Sequence, residues 1–153
     1  MKKKVESDYV DHISIAVKDV VQAEKDYSEA FGWEVSGRYV DTGEKIRVSY
    51  FMVGPTAVEV MEDLDGTGEV AKFIERHGEG VMVLSFHVAD CALALGALKD
   101  NGAKTLDGKP RYSKELGRYF AFLHPKVYHG VLPEVIDGKY QENNKIFYFK
   151  SSI

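Results

Sequence analysis

Two stretches of the chain alternate apolar with small or polar residues, then change period, and they are near copies of each other. His12-Ile13-Ser14-Ile15-Ala16-Val17-Lys18-Asp19 is followed 71 residues later by Val83-Leu84-Ser85-Phe86-His87-Val88-Ala89-Asp90. The two-residue alternation and the β-branched types read as a strand. After Asp19 the spacing becomes helical: Val20, Ala23, Tyr27, Ala30 and Phe31 share one face, and Gln22, Lys25, Asp26 and Glu29 lie opposite. Asp19 stands in the capping position, and Gly32 stands where a left-handed stop costs least. Residues 33–40, 45–53 and 56–63 then read as strands between Thr42-Gly43 and Gly54-Pro55 turns, completing a βαβββ unit. A connector, 66–80, has helical spacing at 69–77, and the order then repeats. The second unit has a strand at 81–88, a helix at 91–101 and strands near 103–106, 117–123 and 130–136.

This pattern predicts an α+β fold in which two βαβββ modules form a curved, half-open eight-stranded sheet lined by every second residue. The expected divisions are an N-terminal arm at 1–8, modules at 9–65 and 81–136 around the connector, and a C-terminal extension at 137–153. Ile146-Phe147-Tyr148-Phe149 in that extension is apolar enough to add a strand or to cover a neighbouring subunit.

Composition narrows the function. With 153 residues, 44% of them hydrophobic, the chain can fill one compact core. A formal charge of −4 argues against a nucleic-acid partner. No apolar run approaches the ~20 residues that span a bilayer. The basic start Lys2-Lys3-Lys4 lacks the apolar segment of a secretory signal, so no membrane role and a cytoplasmic location are expected. The single Cys91 reads as a small buried apolar residue.

Period-two geometry puts His12, Ser14 and Ala16 on one face of the first strand and Val83, Ser85 and His87 on the matching face of its copy. Glu59 and Glu134 sit among apolar residues at equivalent places in the last strand of each module. Each either faces water or is buried, and a buried carboxyl must be paired, protonated or bound to a metal.

His12-Ile13-Ser14-Ile15-Ala16-Val17-Lys18-Asp19, Ala57-Val58-Glu59-Val60, Val70-Ala71-Lys72-Phe73-Ile74-Glu75, Phe122-Leu123-His124-Pro125-Lys126 and Gly130-Val131-Leu132-Pro133-Glu134 occur in this order over most of the chain. Together they resemble the methylmalonyl-CoA epimerase branch of the vicinal oxygen chelate superfamily, which also includes glyoxalase I, bleomycin resistance proteins and dioxygenases. The resemblance implies a divalent metal ion (Co, Mn, Mg, Ni or Zn) on His12, Glu59, position 83 and Glu134. It also implies proton abstraction next to a carbonyl, with Glu134 as first and Glu59 as second candidate base, an acyl-CoA thioester as substrate, and a homodimer. Val83 stands where the family has histidine, so one ligand is absent and an epimerase-like isomerase with an atypical three-ligand site is expected. Another lyase, glyoxalase or ring-opening enzyme of the superfamily, or a metal-free small-molecule-binding protein of the resistance type, remains open. His87, Ser85, Tyr128 and His129 are expected to line the substrate, and Lys109, Arg111, Lys114, Arg118 and Lys126 to meet CoA phosphates. Pro133, lacking an N–H, predicts an edge or a bulge beside Glu134.

Overall fold

The computed structural model describes residues 2–140, so the apolar stretch at 146–149 lies outside the described residues. Eight strands form one mixed sheet in the order β2-β3-β4-β1-β5-β8-β7-β6. The first unit comprises β1 (Ser7–Ala16), α1 (Val20–Phe31), β2 (Gly37–Asp41), β3 (Ile46–Val53) and β4 (Thr56–Asp63). After α2 (Glu69–His77), the second comprises β5 (Gly80–Val88), α3 (Cys91–Asp100), β6 (Arg111–Ser113), β7 (Arg118–Phe122) and β8 (Leu132–Ile136). The repeat read from the pattern is therefore present, and the fold is the α+β arrangement expected of it.

The helices begin where the sequence says they should. Asp19 accepts from the amides of Val21 and Gln22, and Asp90 accepts from Leu93, each satisfying otherwise orphaned N–H groups. Gly32 ends α1 in the left-handed region, with φ 69°. Val17, Val20 and Val60 pack beneath α1 with Tyr27, and Val88, Cys91, Leu95, Ala121 and Val135 pack beneath α3. A third apolar cluster fills the concave side of the sheet, with Tyr39, Val48, Tyr50, Met61, Met82, Val83 and Leu116.

β1 and β5 run antiparallel at the centre, with His12 opposite Ser85 and Ser14 opposite Val83. A twofold through these pairs exchanges the modules and carries His12 onto Val83. Flanking them, β4 runs parallel to β1 and β8 parallel to β5. The sheet curls until its two outer hairpins meet: Ser113 donates to Asp41 at 3.3 Å, and Arg111 reaches Glu44 at 3.0 Å. These contacts tie edge strands β2 and β6 together and bring the curved eight-stranded sheet nearly to a closed barrel.

Two local expectations are corrected. The segment 103–106 is not a ladder strand, because only Thr105 bridges, to Leu123, and the paired edge strand is β6, beyond the Asp107-Gly108-Lys109-Pro110 turn. Pro133 marks neither an edge nor a bulge, since β8 lies inside the sheet and keeps continuous register with β5. Its carbonyl accepts from Leu123 at 2.9 Å, but with no N–H to return the bond the β7 ladder ends one residue earlier, at Phe122 and Glu134.

Cys91 is fully buried at the start of α3, and burial, with Asp137 nearby, pushes its thiol up to about 12. Native protein at pH 8 is expected to resist a thiol-specific chromogenic reagent and to react once unfolded. Rapid labelling of the folded chain would show that the α3 contact is not formed.

Candidate active site on the floor of the sheet

His12, Glu59 and Glu134 come from β1, β4 and β8 and meet on the concave floor, each no more than 5% exposed. The Nε2 of His12 lies 3.0 Å from Glu134 Oε1 and 3.8 Å from Glu59 Oε1. The repeat supplies each carboxyl with the same support. Ser14, in register with Glu59, donates to its Oε1 at 2.8 Å, and Ser85, in register with Glu134, donates to its Oε1 at 2.5 Å. Tyr39 donates to Glu59 Oε2 at 2.9 Å, and Tyr140, just beyond β8, donates to the same oxygen.

Strict alternation would turn Asp11 away from His12, but the β1 register shifts by one residue between Val10 and His12. The bulge leaves Asp11 as the extra residue, which lets it approach its neighbour's imidazole. Its Oδ1 lies 2.7 Å from His12 Nδ1. Behind it stands Arg118, with no exposed surface, which donates to both Asp11 oxygens. Every fully buried side-chain nitrogen and oxygen among the described residues has a hydrogen-bond partner.

This network sets the charges. Burial opposes charge on His12, but Glu59, Glu134 and Asp11 outweigh it and raise its pKa well above 6.5. Burial also works against ionised Asp11, yet the hydrogen bonds from His12 and Arg118 prevail and hold it below its ordinary value. Tyr39 and Tyr140 are raised well above 10 by burial and by Glu59, so they remain neutral donors. The result is an imidazolium bounded by carboxyl groups, an arrangement able to hold, give and accept protons at a dry surface.

The donor set in this arrangement does not fit a divalent ion. Among the described residues no group of three or more His, Cys, Asp or Glu side chains is disposed to hold one. His12 Nε2 is turned onto Glu134 Oε1 at 3.0 Å, Glu59 already accepts from three hydroxyls, and Val83 occupies the place that the twofold relates to His12.

The other sequence candidates are placed differently. Ser85 is on the floor as a donor to Glu134. His87 leaves it: the ring stacks on Tyr9 at 4.6 Å, Nδ1 lies 2.8 Å from Asp8, and Nε2 donates to the Gly138 carbonyl at 2.9 Å. Tyr128 and His129 lie in the turn before β8, with His129 exposed at φ 65°, apart from the floor network. Arg118 cannot meet a phosphate at the mouth because it is buried against Asp11, and Arg111 is engaged by Asp107 and Glu44. Lys109, Lys114 and Lys126 remain exposed. Sequence reasoning missed Asp11, Tyr39 and Tyr140. For Asp11 the one signal was its position immediately before His12. The tyrosines gave none, because their strand faces depend on how the sheet curls.

Two measurements follow from this geometry. Arg118→Met strands Asp11 in the interior and is expected to cost about 3–5 kcal/mol in urea unfolding, whereas a loss below about 1 kcal/mol would contradict a buried pair. The raised pKa of His12 means that its charge stabilises fully below the ordinary value of 6.5, and that this contribution fades only as pH climbs through the raised folded value. Nitrogen NMR at pH 7 is expected to find both ring nitrogens of His12 protonated; a singly protonated ring would refute the charge assignment.

The comparisons agree with this architecture. The model of the Glyoxalase/Bleomycin resistance protein/Dioxygenase superfamily matches residues 11–122. An ethylmalonyl-CoA/methylmalonyl-CoA epimerase of Cereibacter sphaeroides is 29% identical over 128 residues, covering 82% of this chain and 95% of that protein. A variant of Streptomyces coelicolor methylmalonyl-CoA epimerase in complex with 2-nitronate-propionyl-CoA superposes with a TM-score of 0.82 at 28% identity, over 87% of this chain and 99% of that one. A methylmalonyl-CoA epimerase in complex with methylmalonyl-CoA and NH4+ gives the same TM-score and identity, over 87% of this chain and 96% of that one. With a repeated βαβββ sheet and a family match that runs from β1 through β7, the chain belongs to the glyoxalase/bleomycin resistance protein/dioxygenase superfamily.

Proposed function

We propose that the chain is an isomerase that moves a proton at the carbon next to a carbonyl, in an epimerase-type reaction on an acyl-CoA thioester of the methylmalonyl-CoA kind. The observation that carries this reading is the convergence of two carboxyl groups from symmetry-equivalent strands on one buried imidazole. The likeness to epimerases, and the acyl-CoA ligands of the structural neighbours, support the substrate class.

In this reading Glu134 takes the proton from the α-carbon. Negative charge then develops on the thioester oxygen, and the N–H of His12 opposes it in a low-dielectric site already oriented before the reaction. Asp11, backed by Arg118, keeps the ring charged and aimed. Reprotonation from the opposite face uses a different proton: the imidazolium gives its Nε2 proton to Glu59, which delivers it to the α-carbon and so inverts the centre. The proton held by Glu134 then passes back to the His12 ring, restoring the starting charges. Ser14 and Ser85 fix the two carboxyls, because a misplaced base loses its advantage in proton transfer. No step is assigned to a divalent ion, because the floor does not fit one. A cytoplasmic homodimer belongs to the same reading and is supported by the family resemblance alone.

One set of observations favours a second reading, a metal-free small-molecule-binding protein of the resistance type. Val83, at the place that the twofold relates to His12, belongs to the apolar cluster, and Tyr140 donates to Glu59. Deuterium exchange separates the two. Methylmalonyl-CoA incubated with the protein in deuterated water is expected to lose its α-proton, and Glu134→Gln is expected to slow this by about 10²–10⁴-fold. No exchange by the unaltered protein, either with a chelator or with added Mn2+ or Co2+, would eliminate the isomerase and leave the binding protein.

A further inference from the structure

Tyr140 lies beyond the last strand of the repeat, yet its side chain reaches the floor. Its hydroxyl donates to Glu59 Oε2. Its ring lies 4.4 Å from that of Tyr50, meets the His12 ring edge-on at 6.2 Å, and is covered by the Arg118 guanidinium at 5.0 Å. The first module does nothing comparable: after β4 its chain turns outward through exposed Asp65 and Gly66. The inward course is thus an addition to the fold and not a consequence of the repeat.

The root of this segment is fixed. The Asp137 carbonyl accepts from Arg118 Nε at 2.8 Å, and its carboxyl accepts from the amides of Tyr119 and Cys91 at 3.1 and 3.0 Å. The Gly138 carbonyl accepts from His87 Nε2 at 2.9 Å, and Gly138 itself sits at φ 71°, where a glycine bends the chain without strain. Beyond that pivot, Tyr140 is held through its side chain on the floor. Tyr50, which forms one wall, can lie where it does because Gly37 opposite it has no Cβ to collide with the phenol ring.

We propose that residues 137–140 form a strap pivoting at Gly138, and that Tyr140 is an internal occupant of the site, satisfying Glu59 with the hydroxyl that a ligand's polar head must displace. The strap rests on the reading of this floor as a ligand site. Its effect is competitive: apparent affinity is the intrinsic affinity multiplied by the fraction of molecules in which the phenol has left. It also crowds Glu59, since Tyr140 and Tyr39 both donate to the oxygen that Ser14 leaves free.

The test is calorimetric titration of propionyl-CoA into the full chain and its Tyr140→Phe and Tyr140→Ala variants. The alanine variant is expected to bind about tenfold more tightly and the phenylalanine variant, which keeps the ring, about threefold. Equal or weaker binding by folded variants overturns the strap, and should the alanine variant not fold, the phenylalanine variant decides alone. If none of the three binds propionyl-CoA, the acyl-thioester reading fails by itself, and binding of the apolar fluorescent anion 8-anilinonaphthalene-1-sulfonate then decides the strap. Tyr140→Ala is expected to bind it about tenfold more tightly than the full chain and Tyr140→Phe about threefold. No gain by folded variants overturns it.

Discussion

The structure depends on a single electrostatic solution: a buried imidazolium neutralised by the carboxyls around it. Asp11, Glu59 and Glu134 cannot be brought into the concave side of an apolar sheet without positive partners, and His12 and Arg118 are those partners. Removing any one of the five leaves the others uncompensated, so the floor is held as a unit. The surrounding geometry serves this arrangement. The bulge at Asp11 brings it to His12, and the parallel registers place Ser14 and Ser85 beside the carboxyls they orient.

The two modules are alike in backbone and unlike in chemistry, and the unlikeness is confined to a few places. The twofold between β1 and β5 relates an imidazole to an isopropyl group. Where a second imidazole would extend the polar floor, Val83 joins the apolar cluster of Tyr50, Met82 and Leu116. Tyr140 lies against the same cluster and brings its hydroxyl to Glu59. Charge is therefore concentrated on the His12 side of the floor, and aromatic and aliphatic surface closes the rest. A site of this kind favours proton movement between oriented side chains, in which no solvent must be reorganised.

Much of this was legible in the sequence, and the remainder was hidden for definite reasons. The 71-residue repeat and the capping residues Asp19 and Asp90 announce the βαβββ units, because those patterns are local. His12, Glu59 and Glu134 could be singled out because a polar group within an apolar strand is conspicuous. Their convergence depends on strand order, which no local pattern encodes. Asp11 was concealed by a one-residue bulge that reverses the face assigned by alternation. Arg118 looked like a surface cation, since nothing local reveals that a side chain 107 residues from Asp11 folds onto it. The edge strand was sought at 103–106 because those residues have strand-like composition, whereas pairing was settled by β7, which meets Arg111–Ser113 after the turn.

The claim that the floor is completed by its own side chains is tested most directly by a crystal structure of the full chain grown with Mn2+, with anomalous scattering measured at the manganese edge. The account predicts no anomalous peak among His12, Glu59 and Glu134, with the Tyr140 hydroxyl within hydrogen-bond distance of Glu59. A peak bonded to His12 Nε2 and both glutamates would contradict it.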